Sequence, residues 1–241
     1  MIALVRYQAA ILLRSHRWIF PLIAYGLLVA VGGEGSTPLT EGLDWSAAML
    51  VPIVALLTRS MLTAEPDAAR AVVAAAVGPG RAQMAALATA LGGGAVLGLA
   101  GAAFEVLASE SVASHPAGGE LAKVTAAAAN PGALVAGLAV AFVCLLVGSA
   151  AGALCNPPLL RHPGASLLST LTVVVLALVS GVSPAAVALK DTGPGGDQSA
   201  LARPHWPGLL PLAAAMGLLA VTWAASMLVA ARRDTRGASS T

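Results

Sequence analysis

The feature that most constrains the fold of this chain is a series of long segments without any Asp, Glu, Lys or Arg. Hydrophobic residues make up 58% of the 241 residues and charged residues only 10%, whereas about 25% of the residues in a soluble domain are charged. So few charges could not keep so much apolar surface in water, so we expect an integral membrane protein. The uncharged segments are Trp18–Gly33, Trp45–Thr58, Ala82–Phe104, Val124–Leu160, His162–Leu189 and Pro204–Ala231.

Six helical spans of about 20 residues each fit these segments, which predicts an all-α fold with a single transmembrane domain over residues 1–241. The second segment has only 14 uncharged residues. It crosses a membrane only if Arg59 snorkels and the helix continues beyond it. The predicted spans are 18–33, 45–62, 82–104, 131–154, 164–182 and 206–231.

The basic residues indicate the orientation of these spans. If the N-terminus is inside, ten of the thirteen basic residues lie on the inner side, as the positive-inside rule requires. We therefore expect a multi-pass protein of the plasma membrane with both ends in the cytoplasm. Arginine outnumbers lysine eleven to two, which is typical of a GC-rich genome and suggests a bacterial source.

The N-terminal residues 1–17 precede the first span and are amphipathic. Ile2, Val5, Ala9 and Leu12 recur at helical spacing among three arginines, which predicts an interfacial helix along the inner leaflet. The alternative is a basic flank that only orients the first span. After that span, the stretch "GEGSTPLTEGLD" is rich in turn-forming residues, and we interpret it as a simple connection.

Residue types that carry catalysis or metal binding are sparse in this chain. The four histidines are far apart in sequence and no pair has the spacing of a metal site. Neither lysine ends a G-x-x-x-x-G-K-[ST] loop, so nucleotide binding by that route is not expected. We expect no catalytic residue, no metal, no bound cofactor and no nucleic-acid partner on this chain.

The stretch "TAEPDAARAVVAAAVGPGRAQ" between spans two and three is the most organised of the predicted cytoplasmic segments. Glu65 and Asp67 place negative charge at the start of a helix, and Gly78 with Pro79 ends it. The predicted helix, residues 65–78, is too short to cross a membrane. An ordered helix in a connection implies a partner against which it docks.

This segment resembles the coupling helix in membrane subunits, or permeases, of type-2 ATP-binding cassette (ABC) exporters. In that family an interfacial helix precedes six spans, and the second-to-third loop carries an acidic residue, a short coupling helix and a Pro-x-Arg or Pro-x-x-Arg turn. Glu65, the helix Ala68–Val77 and Gly78-Pro79-Gly80-Arg81 follow that order. The chain has "AARAVV" where the family often has Gly-Thr-Leu. The helix that Ser183 and Pro184 are expected to start after span five is similar to the family's outer re-entrant element.

The resemblance implies a permease that forms the export path for an apolar or amphipathic cargo, such as a drug, lipid or modified peptide. ATP and Mg would be bound by a separate cytoplasmic ATPase subunit, and a second permease, identical or paralogous, would complete the path in the lipid bilayer. The charged residues of the coupling segment would make polar contacts with the ATPase, and two valines would fill its groove. The predicted docking residues are Glu65, Asp67, Arg70, Val73, Val77, Pro79 and Arg81.

Three residues are candidates for contact with cargo or a gate at the outer face: Glu105, Ser183 and Pro184. For Glu105, the acidic residue close to the end of span three, a solvated helix end is the simpler interpretation. Two other functions stay open. The chain could be a membrane-embedded enzyme, such as an intramembrane protease or a lipid-modifying enzyme, or a non-catalytic membrane binding or immunity protein.

Overall fold

The structure is a computed structural model that describes residues 2–16, 18–32, 39–63, 67–108, 131–154, 163–180, 183–192 and 209–238. The regular secondary structure of these residues is entirely helical, which confirms the expected all-α class. The helices are α1 (Ile2–Arg14), α2 (Ile19–Gly32), α3 (Leu39–Leu62), α4 (Asp67–Val77), α5 (Pro79–Ala108), α6 (Pro131–Leu154), α7 (Pro163–Val179), α8 (Pro184–Thr192) and α9 (Leu209–Ala238).

Four segments of the described chain are long and apolar enough to cross a membrane: Leu39–Leu62, Gly80–Ala108, Pro131–Leu154 and Leu168–Lys190. The last of these begins within α7 and ends within α8. α1 and α2 pass the same test together as a bent pair, which raises the number to five, and α9 has a shorter apolar part, Leu210–Ala225. The described part of the chain is thus all-helical, and several of its helices are long and apolar enough to span a membrane.

α3 is longer than the uncharged segment from which it was predicted. It begins at Leu39 instead of residue 45 and has 24 residues, so it is long enough to cross without depending on the residues after Arg59. The interpretation of "GEGSTPLTEGLD" as a simple connection is therefore wrong for its second half. Glu41 lies in the first helical turn, where its negative charge interacts favourably with the helix dipole.

Glycines allow α6 to pack directly on the backbone of α3. A Cβ atom at Gly148 would lie 2.6 Å from the carbonyl oxygen of Val51, and one at Gly152 would lie 2.5 Å from that of Ala55. Neither position can carry a side chain unless α3 moves, which is the close approach that small residues permit between membrane helices. Because the later glycine of α6 meets the later residue of α3, the two helices run parallel.

Two hydrophobic clusters share α3, which is the central helix of the fold. One cluster joins it to α6, α7, α8 and α9 and includes Val51, Val143 and Ala185. The other joins it to α1, α2, α5 and α6 and includes Val54 and Leu97. α3 is therefore held from both sides, and a displacement of α3 would disturb the whole bundle.

The antiparallel packing of α5 on α3 gives the bundle two distinct ends. Gly93 of α5 lies against Leu57, near the end of α3, and Glu105 lies against Gly42, near the start of α3. α4 lies in the chain between the end of α3 and the start of α5. We refer to these two ends as the α4 end and the Glu105 end.

The junction of α1 and α2 is a bend of 75°. His16 adopts a left-handed backbone conformation with a φ of 54°, and its carbonyl oxygen accepts a hydrogen bond from the Ile19 N–H at 3.2 Å, which begins α2. The Ser15 hydroxyl donates to the Leu12 carbonyl oxygen at 3.0 Å and closes the last turn of α1. The change of direction is thus fixed by local hydrogen bonds.

Candidate functional site

α4 is an eleven-residue helix joined directly to α5 by one glycine. Gly78 has a φ of 88°, a backbone conformation that residues with a Cβ atom rarely adopt. Its N–H donates to the Ala74 carbonyl oxygen at 2.8 Å, and its own carbonyl oxygen accepts from the Ala82 N–H at 3.2 Å. Because Gly78 closes one helix and begins the next, no loop separates α4 from α5.

The described side chains of α4 form two faces. Ala69, Val73, Ala74 and Val77 are partly covered, and α4 packs against α5. The opposite face is exposed, and the Val72 side chain has 69% of its surface accessible. We call this exposed face the Val72 face; it consists of Ala68, Ala71, Val72, Ala75 and Ala76.

None of the predicted docking residues whose side chains the structure describes lies on the Val72 face. Val73 and Val77 lie on the partly covered side of α4, whereas Arg81 is exposed in the first turn of α5. Glu65 lies outside the described residues, as do the side chains of Asp67, Arg70 and Pro79. Sequence reasoning missed Val72, because six of the eleven residues in this helix are alanine and its valines lie on both faces, so that only the packing of α5 separates the faces.

Glu105 is buried at the opposite end of the bundle. Its side chain is 2% exposed, and its Oε2 atom lies so close to Gly42 that a Cβ atom there would clash with it. Its buried Oε1 atom has no hydrogen-bond partner among the described residues. The interpretation of Glu105 as a solvated helix end is wrong, because α3 begins earlier than predicted and its first turns cover the carboxylate.

Tyr25 places a second oxygen close to Glu105. Its hydroxyl fills the space beside Gly101, one helical turn before Glu105, and donates a hydrogen bond to the Ser46 carbonyl oxygen at 3.2 Å. Since the hydroxyl proton points to Ser46, the lone pairs of this oxygen remain available as acceptors. Tyr25 and Glu105 therefore contribute hydrogen-bond acceptors to one buried region.

Ser183 and Pro184 stand at the start of α8. The carbonyl oxygen of Ser183 accepts the first helical hydrogen bond, from the Val187 N–H at 2.9 Å. Its Oγ atom is buried and has no hydrogen-bond partner in the part of the chain that the structure describes. Ala185 and Ala188 are fully buried, so α8 is packed into the bundle, chiefly against α6 and α9.

An apolar groove of about 260 Å³ lies between α3, α5 and α6. Leu50 of α3 forms its back, Gly98 and Leu99 line it from α5, and Leu138 and Phe142 line it from α6. The side chains of Leu99, Leu138 and Phe142 are exposed, so the groove opens on the outside of the bundle. We call it the α5–α6 groove.

Comparisons of this chain with protein-family models, curated proteins and solved structures found no match. Within the described residues, no group of three or more His, Cys, Asp or Glu side chains could hold a metal ion. The α4 helix, the buried carboxylate and the groove are the features of the described structure that bear on function.

Proposed function

We propose that this chain is the permease subunit of an ABC exporter and that α4 is the helix by which a cytoplasmic ATPase subunit moves it. The observation that carries the proposal is the Val72 face: an apolar helix face at the end of the bundle, turned away from α5 and joined to it by Gly78. An exposed face of alanine and valine is well suited to a groove on a partner protein.

The packing of α4 gives a physical route from ATP binding to the spans. A partner that closes on the Val72 face displaces α4, Gly78 passes the displacement to α5, and α5 carries it to α3, against which it packs along its length. ATP and Mg reside on the partner, and the chain itself binds neither. A second permease copy, identical or paralogous, completes a path for an apolar or amphipathic cargo.

The proposed arrangement in the bilayer has six spans, with the first and last contributed by α2 and α9. α1 lies along the inner leaflet, for which its 75° bend from α2 is the supporting geometry. α8 re-enters the outer leaflet after α7, and its buried alanines support a position inside the bundle instead of on its surface. Both chain ends are then cytoplasmic.

Co-purification with a candidate cytoplasmic ATPase from the same cells tests the proposal. Val72→Asp is expected to reduce the recovered ATPase at least tenfold, because a charge in the centre of the Val72 face would be desolvated on docking. Glu41→Lys changes an exposed charge at the other end of the bundle and serves as the control, with recovery unchanged. The proposal fails if the wild-type chain binds no ATPase, or if Val72→Asp binds it as well as the control does.

A further inference from the structure

We propose that the export cargo is a cationic amphiphile, whose positive group binds Glu105 while its apolar part occupies the α5–α6 groove. This inference rests on the proposed function, since it names the class of cargo. It starts from the burial of Glu105, whose side chain is 2% exposed and whose Oε1 atom has no hydrogen-bond partner among the described residues. An ionisable side chain inside a membrane protein is costly to keep and is retained where it has a partner or a function.

The surroundings of Glu105 favour a positive ligand. The Tyr25 hydroxyl lies beside Gly101, one turn of α5 before Glu105. Its oxygen can act as an acceptor there, because its proton is donated to the Ser46 carbonyl oxygen. Gly42 leaves room for the carboxylate where any larger residue would displace it. Of the basic residues that the structure describes, none forms an ion pair with Glu105. An ammonium or guanidinium group would supply the missing donors in a charge-assisted hydrogen bond.

The α5–α6 groove lies at a suitable distance for the apolar part of the same ligand. Gly98 lines the groove and Glu105 follows seven residues later on the same side of α5, which corresponds to about 10 Å along a helix. On α6, Gly137 lies against Leu43, one residue after the Gly42 that meets Glu105, and the neighbouring Leu138 lines the groove. The part of the groove that is nearest to the Glu105 end of the bundle is therefore close to the level of the carboxylate.

The charge of Glu105 distinguishes such a cargo from a lipid tail. A groove open to the bilayer would accept any acyl chain by apolar contact alone. A buried carboxylate next to it gives a preference only for ligands that also carry a positive group. Selection by charge and occupancy of the groove are thus two separable properties, and each can be measured.

Probe binding in nanodiscs of zwitterionic lipid tests this inference without an ATPase. The probes are two dansyl-labelled octyl chains, one ending in an amine and one in a hydroxyl, and binding is followed by dansyl fluorescence. The wild-type chain is expected to bind the amine at least tenfold more tightly than the alcohol. Glu105→Gln should abolish that preference and leave alcohol binding unchanged, while Glu41→Gln, which removes an exposed carboxylate at the same end, should change neither.

Two further variants distinguish the contribution of the carboxylate to probe binding from that of the groove. Glu105→Asp keeps the charge and should keep a reduced preference for the amine, which covers the case that Glu105→Gln does not fold. Ala95→Phe fills the groove and should weaken both probes at least fivefold. Equal binding of the two probes to the wild type, an unchanged preference in Glu105→Gln, or an equal loss in Glu41→Gln would each overturn the inference. Probe binding is independent of co-purification, so the cargo site and the ATPase coupling can fail separately.

Discussion

At the scale of single residues, the fold depends on positions where a side chain has no room. Gly148 and Gly152 meet carbonyl oxygens of α3, and Gly101 meets the Tyr25 hydroxyl. These are contacts with backbone or with a buried aromatic side chain, so the neighbour cannot give way easily. Other glycines in the described helices, such as Gly26 and Gly217, have open space where a Cβ would stand.

Alanine substitutions at Gly148 and Gly217 compare a tightly packed glycine with one that has open space around it. Gly148→Ala should lower the free energy of unfolding by about 1–3 kcal/mol, because overpacking forces a shift of the α3 backbone. Gly217→Ala is the matched control and should be neutral or slightly stabilising, since alanine is the better helix former. Tryptophan fluorescence during denaturation in mixed micelles measures both. Equal stability of the two variants would contradict the close packing of α3 and α6.

At the scale of elements, the junction between α4 and α5 determines where the Val72 face points. Gly78→Ala should cost about 1–2 kcal/mol locally, because alanine disfavours the left-handed conformation at φ 88°. We expect faster amide exchange across α4 and a reduced yield of bound ATPase. Gly80→Ala lies two residues further on, in a regular helix with open space around it, and should leave both quantities unchanged. A Gly78→Ala variant with the exchange pattern of the wild type would argue against a fixed junction.

The elements also show what could and could not be predicted from sequence. The all-helical class follows from the uncharged segments, and α6 lies entirely within one of them, because a bilayer requires every backbone group to be paired. The start of α3 could not be predicted, since Glu41 and Asp44 look like loop residues until the helix is seen. Burial of Glu105 depends on those extra turns, so it was missed for the same reason. The orientation of α4 could not be predicted, because its valines lie on both faces: Val72 is exposed, whereas Val73 and Val77 are partly covered by the packing on α5.

At the scale of the whole molecule, the proposed topology places the α4 end inside the cell and the Glu105 end outside. Single cysteines at Ala75 and Glu41, both exposed positions, can report this in a chain carrying Cys144→Ala and Cys155→Ser. A membrane-impermeant maleimide should label Glu41→Cys in intact cells and Ala75→Cys only after the membrane is opened. Labelling of both from the same side would exclude the proposed crossing of α3.

Photo-crosslinking from the Val72 face in living cells tests the central claim most directly. A benzoylphenylalanine at position 72 should capture a single ATPase that carries a G-x-x-x-x-G-K-[ST] loop. The same group at Val221, an exposed apolar position on α9, should not. Absence of an ATPase from position 72 in normally expressed protein, or its equal capture from position 221, would contradict the assignment of α4 as the docking helix of an exporter.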